Sequence, residues 1–117
     1  MGMALKSDVV IARRKAGTEK PIDLVYLSTL TMGDPVLEAD ILKMFVGQMP
    51  QYLGMVDCCR NDEEVRRAGH TIKGAARSVG ALGLAEIAAS AEKTGCFDRS
   101  ELACEMDRIT AYIATLS

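Results

Sequence analysis

From Pro21 onward, apolar positions recur along this chain with a helical period, and polar or glycine-containing breaks divide them into segments. The first segment runs from about Ile22 to Leu30, with Pro21 or Asp23 near its start. "MGDP", at positions 32–35, reads as a turn with Pro35 at a first helical position, where a missing backbone N–H costs nothing. The second segment carries Leu37, Ile41, Met44, Phe45, Gln48, Tyr52, Met55 and Cys59 as a stripe interrupted only by Gln48. Pro50 falls inside it and predicts a kink, with a break into two helices as the alternative. "CRNDEE", at 59–64, ends the pattern; Asn61 and Glu64 have the spacing of a capping box, and three acids crowd the next helix start.

The third segment places Val65, Ala68, Ile72, Ala75, Ala76 and Val79 on one side and ends at Gly80. A short fourth carries Leu84, Ile87, Ala88 and Ala91 and stops at Gly95. Asp98 with Glu101 caps a fifth, whose stripe is Leu102, Met106, Ile109, Ile113 and Leu116. These near-heptad steps favour shallow-angle packing, and the short connections favour antiparallel neighbours. The predicted fold is all-α: an up-and-down antiparallel four-helix bundle, with the short additional N-terminal helix lying across one end.

Composition agrees with helices. Of 117 residues, 49% are hydrophobic, but there is no Trp, and only three Tyr and two Phe; Ala, Leu, Met and Ile supply the apolar surface. The length suits one compact domain. Charge is uneven. Residues 1–20 carry five cations against two anions, and the remainder carries nine cations against fourteen anions. An acidic body argues against a nucleic-acid surface, because phosphate contacts dominate that affinity. Residues 1–18 are therefore taken as a basic tail or arm and 19–117 as the helical domain. Cys58, Cys59, Cys96 and Cys104 form no metal-binding spacing, and no second histidine exists to complete a zinc set, so reduced thiols in a cytoplasmic protein are expected. No secretory signal and no run of membrane-spanning length is visible.

The single histidine raises the question of chemistry. On the third helix His70, Lys73, Gly74 and Arg77 fall at i, i+3, i+4 and i+7, on one face, while Ile72, Ala75, Ala76 and Val79 point away. His70 is thus expected to be exposed or half-exposed. A cation at Lys73 disfavours the imidazolium form and keeps a neutral nucleophile available. With Arg77 a turn further on, it also attracts a phosphoryl group in transfer. Gly74 removes the side chain that would stand beside the ring, which lets a partner approach closely. A mid-helix glycine costs about 1 kcal/mol relative to alanine, so a steric reason is implied. Gly69 carries the same cost, for which close packing is the explanation.

"AGHTIKGAARSVGALGL" resembles the signature of histidine phosphotransfer (HPt) domains, close to His-x-Leu-Lys-Gly-small-small-x-x-x-Gly. His70, Lys73, Gly74, Ala75, Ala76 and Gly80 fit it, and Ile72 takes the leucine position. "IDLVYLSTLTMGDPVLEADILKMF" looks like the family's opening helices, so the resemblance covers about residues 21–117. Gly69 departs from the more usual alanine, which suggests a locally looser helix. The resemblance implies a phosphocarrier without ATP-dependent kinase activity of its own. His70 would accept a phosphoryl group from a receiver-domain aspartate and relay it to another. Lys73 would offset charge on the phosphoryl oxygens and Gly74 would give clearance. Arg77 and Glu92 would contact or orient, Glu92 standing where the family has Glu or Gln.

No cofactor is implied on this chain, because magnesium would come with the receiver. The implied partners are response-regulator receiver domains, with a hybrid sensor histidine kinase as a further candidate, and the protein is expected to act as a monomer without nucleic acid or membrane. Ala68, Val36 and Leu37 are candidate members of an apolar docking rim. Two other readings compete. A helix-turn-helix would need a basic second helix, whereas here Glu86 and Glu92 face only Lys93. A helical adaptor that is never phosphorylated would keep the scaffold but has no use for His70, Lys73 and Gly74 together.

Overall fold

Asp23, Asp34, Asn61 and Asp98 each stand one residue before a helix and bond back into it. Their side-chain oxygens accept from the N–H groups of Tyr26 at 3.0 Å, Val36 at 3.0 Å, Glu64 at 2.9 Å and Glu101 at 3.1 Å. Each satisfies a donor that the first turn leaves without a partner. In the computed structural model, which describes residues 20–116, the helices so started are α1 (Leu24–Thr31), α2 (Pro35–Asp57), α3 (Asp62–Val79) and α5 (Arg99–Ala114). A fifth, α4 (Leu82–Thr94), follows α3 after a two-residue turn and has no side-chain cap. No strand occurs among the described residues. The basic segment 1–18 lies outside them.

The expected capping box forms in altered register. Asn61 accepts from Glu64, and the Glu64 carboxylate reaches back to the Arg60 N–H at 2.8 Å. Gly80 and Gly95 end α3 and α4 in the left-handed conformation, with φ of 82° and 76°, as the sequence suggests. The Gly80 carbonyl accepts from the Asp23 N–H at 2.9 Å, so the start of α1 is anchored at the α3–α4 turn.

Helix α2 packs against α1, α3 and α5, and α4 packs against α3 and α5; the most extensive contact is α3 with α4. The core between them is built from Leu42, Phe45 and Met49 of α2, Ile72 and Val79 of α3, Leu84 of α4 and Leu102, Met106 and Ile109 of α5, joined by Ile22 and Leu27. Full burial of each large side chain contributes roughly 1.5–3 kcal/mol before the entropy of ordering is set against it.

Three expectations are corrected. First, α2 is one helix through Pro50, so the break into two is overturned. Pro50 lies on the exposed side between buried Met49 and Tyr52, where water can take up the carbonyl that its missing N–H frees. Second, the inward face of α2 is rotated from the expected stripe, of which it keeps Phe45 and Tyr52, with Ile41 packed against the core. Leu42, Phe45, Met49 and Tyr52 are buried, whereas Leu37, Met44 and Met55 of the expected stripe are exposed, Met44 by 66%. Two apolar stripes one residue apart run along α2, and periodicity does not say which one meets the core. Gln48 interrupts the expected stripe because it accepts the Tyr52 hydroxyl at 2.7 Å. Third, Leu116 lies past the end of α5 and is exposed, while Glu105 is buried on the inward face and accepts from Arg108 at 2.6 Å.

Candidate functional site

The facing surfaces of α3 and α4 are built from small residues: Ala68, Gly69 and Ala76 on one side, and Ala85, Ala88 and Ala91 on the other, all buried. Small side chains let two helix backbones approach closely. The approach is tightest at Gly69, where a Cβ atom would stand 2.7 Å from the Ala88 carbonyl oxygen and 2.8 Å from the Glu92 nitrogen. That meets the close-packing reading of Gly69. A looser helix does not result: α3 runs unbroken from Asp62 to Val79.

Beside this contact, Glu92 on the last turns of α4 reaches across to α3. One carboxylate oxygen accepts from His70 Nδ1 at 2.8 Å. The other pairs with Lys73 Nζ at 2.5 Å. The His70 side chain is 70% exposed, as its helix face predicts, whereas Lys73 and Glu92 are partly covered. Glu92 is held below the ordinary carboxylate range, first by the hydrogen bond from Lys73 and then by that from His70. An ionised carboxylate has no proton to give, so the hydrogen in the His70–Glu92 bond belongs to Nδ1. In the neutral ring the lone pair is then on Nε2, which has no hydrogen-bond partner among the described residues.

Of the residues singled out from sequence, His70, Lys73 and Glu92 are brought together. Lys73 does not face the ring as a free cation, because Glu92 stands between them and takes both donors. Gly74 meets open space, with nothing within 4 Å of a Cβ placed on it, consistent with clearance beside the ring. Arg77 is exposed and makes no ion pair among the described residues. Ala68 is 2% exposed and packs on α4, so it forms no part of a rim; Val36 and Leu37 are exposed.

Arg66 escaped the sequence reading. Its guanidinium donates to the Lys93 carbonyl at 2.6 Å and is 3.4 Å from that of Glu92. It lies one turn before His70 on the same side of α3, and that spacing is the signal by which it was findable. Among the described residues, no group of three His, Cys, Asp or Glu is placed to hold a metal ion, and no helix is long and apolar enough to cross a membrane.

The family model described as Hpt domain matches residues 40–117. No curated protein and no solved structure matches the chain. The match begins inside α2, later than the resemblance read from residue 21 onward, and takes in more than half of the chain. His70, Lys73, Gly74, Arg77 and Glu92 all lie within it, and the chain belongs to the Hpt domain family.

Proposed function

We propose that this protein is a phosphorelay intermediate: His70 accepts a phosphoryl group from the aspartyl phosphate of one receiver domain and passes it to the aspartate of another. The observation that carries this reading is the imidazole itself, exposed at Nε2 and held at Nδ1 by Glu92. Nε2 attacks phosphorus in line; the N–P bond forms as the P–O bond to the donor aspartate breaks, and that aspartate leaves as a carboxylate. Positive charge developing on the ring is met by Glu92 through the Nδ1–H. Lys73 lies close enough to turn from Glu92 toward phosphoryl oxygens, and Arg77 offers a second cation one turn further along α3. Gly74 leaves room for the receiver. The second transfer is the reverse of the first, onto a different aspartate.

Magnesium belongs to the receiver in this scheme, and the chain has no ATP-dependent kinase activity. Response-regulator receivers, together with a hybrid sensor kinase as phosphoryl source, are the partners in a cytoplasmic pathway, and the protein works as a monomer. The helix neighbours, α2 with α3, α3 with α4, α4 with α5 and α5 with α2, support an up-and-down antiparallel bundle with α1 at one end. The competing reading, an adaptor that is never phosphorylated, leaves the coupling of His70, Lys73 and Glu92 without a purpose.

Incubation with phosphorylated receivers tests the proposal. Acid-labile, base-stable label is expected on the protein only when a phosphorylated receiver is supplied. His70→Gln should abolish it with the helical circular dichroism unchanged. Label persisting in that variant overturns the assignment, and wild-type protein that binds receivers but takes no label from any of them favours the adaptor.

A further inference from the structure

We propose that Arg66 and Gly69 are positioning residues for the phosphoryl-accepting histidine, acting through the backbone of Glu92. The inference rests on the phosphotransfer reading of His70. Glu92 stands two residues from the end of α4, and the last turn of a helix frays because its final carbonyls lack intrahelical partners. A carboxylate on a fraying turn cannot hold an imidazole in one tautomer, so the turn itself has to be fixed.

Four residues of α3 fix it, at i, i+3, i+4 and i+7. Arg66 donates to the Lys93 carbonyl at 2.6 Å and lies 3.4 Å from the Glu92 carbonyl, which places a cation at the negative end of α4. Its guanidinium also packs beneath the end of the helix, where a Cβ on Gly95 would approach its nitrogens to 3.2 Å and 3.3 Å. Gly69 lies against the Glu92 nitrogen and Cα. His70 and Lys73 take the two carboxylate oxygens. Glu92 is thereby bonded at its carbonyl and its side chain, and closely approached at its backbone, by one face of one helix.

The consequence is chemical. An unrestrained neutral histidine favours the proton on Nε2, the form without a lone pair at the attacking atom. Glu92 reverses that preference only while its oxygen stays within hydrogen-bonding distance of Nδ1. A methyl group at position 69 would have to displace backbone atoms of Ala88 and Glu92, which, unlike a flexible side chain, cannot rotate aside. Loss of the Arg66 cap would free the same turn from its other end.

The test is heteronuclear NMR of the His70 ring, read beside the initial rate of transfer from a phosphorylated receiver, in wild-type protein, Arg66→Ala, Arg66→Lys, Gly69→Ala and, as reference, Glu92→Gln. The wild-type ring is expected to carry its proton on Nδ1. Arg66→Ala and Gly69→Ala should both raise the Nε2–H tautomer and slow transfer by about fivefold, the factor that corresponds to one net hydrogen bond. Arg66→Lys, which keeps a donor and the charge, should recover part of both. Should Gly69→Ala not fold, Arg66→Ala, at an exposed position, decides the question. An unchanged tautomer in Arg66→Ala overturns the inference, and so does a shifted tautomer with transfer at the wild-type rate. Failure of the phosphotransfer reading shows differently, as a wild-type protein that takes no label from any receiver, and the tautomer measurement still reads the positioning.

Discussion

Gly69 and Gly74 lie five residues apart on α3, which sets them about 140° apart around the helix, and the two faces they occupy ask for opposite things. At Gly69 the neighbouring backbone is so near that a single methyl group would have to move it. At Gly74 nothing of the described protein comes within 4 Å of such a group. The first glycine is explained by contacts inside the folded chain. The second has no such explanation among the described residues, because an alanine there would fit and would favour the helix. On the phosphotransfer reading, this glycine leaves room for the receiver beside the ring. His70 lies between the two, so the packed face and the open face meet at the ring.

Exchange of each glycine for leucine breaks this comparison most sharply. Gly69→Leu forces a large side chain against the backbone of α4 and is expected to cost about 3 kcal/mol or more, enough to lower the melting temperature steeply. Gly74→Leu should leave the melting temperature unchanged or raised, by up to about 1 kcal/mol of helix propensity, and yet slow transfer from a receiver. Thermal denaturation and transfer assays on the two proteins separate the roles. Equal melting temperatures would deny the close contact at Gly69, and undiminished transfer by Gly74→Leu would deny the clearance.

Lys73→Ala has the next largest expected effect. The Lys73 ammonium is the principal reason that Glu92 is held below the ordinary carboxylate range. Its removal should move Glu92 back toward that range, as read by a carbon-detected NMR titration of the carboxyl, and should slow transfer. A normalised Glu92 with transfer unaffected would confine Lys73 to tethering Glu92. Slow transfer together with an unmoved Glu92 would instead place its effect on the phosphoryl group.

How far these features could be read from sequence depended on the range of the interaction behind them. The caps at Asn61 and Asp98, the glycine ends of α3 and α4 and the exposed face of His70 follow from chemistry within about one helical turn, and these were legible in Asp98 with Glu101, in Asn61 with Glu64, and in Gly80 and Gly95. The inward face of α2 was legible only in part, in Phe45 and Tyr52. Leu42 and Met49 are core while Met44 is exposed, because that choice belongs to the helices packed around α2 and not to its own pattern. Glu92 was placed near the histidine only by family resemblance. The spacing of Arg66 one turn before His70 marked its face, but not its role, because its partners are carbonyl oxygens 26 and 27 residues away and a backbone acceptor leaves no mark in a side-chain pattern. Ala68 was misplaced because alanine serves a tight helix contact as readily as an apolar rim.

The smallest expected effect comes from a second carboxylate–cation pair, exposed on the surface. Asp57 at the end of α2 accepts from Arg99 Nε at 2.7 Å and from Nη2 at 3.1 Å, joining the start of α5. Like Glu92, Asp57 is held below the ordinary carboxylate range, chiefly by its hydrogen bond to the neighbouring cation. The two carboxylates therefore have the same linkage sign. A depressed carboxyl contributes stability that is fully present above its unfolded-state pKa and is lost as pH falls through the lower folded value. What differs is the third partner, since Glu92 has an imidazole and Asp57 has none. Arg99→Ala should raise the Asp57 pKa and lower the melting temperature slightly at neutral pH, and the difference from wild type should vanish in acid and shrink in high salt. Transfer at neutral pH should not change. If it does, the pair joining α2 to α5 is coupled to the histidine, and this opposite-charge pair is more than a structural tie.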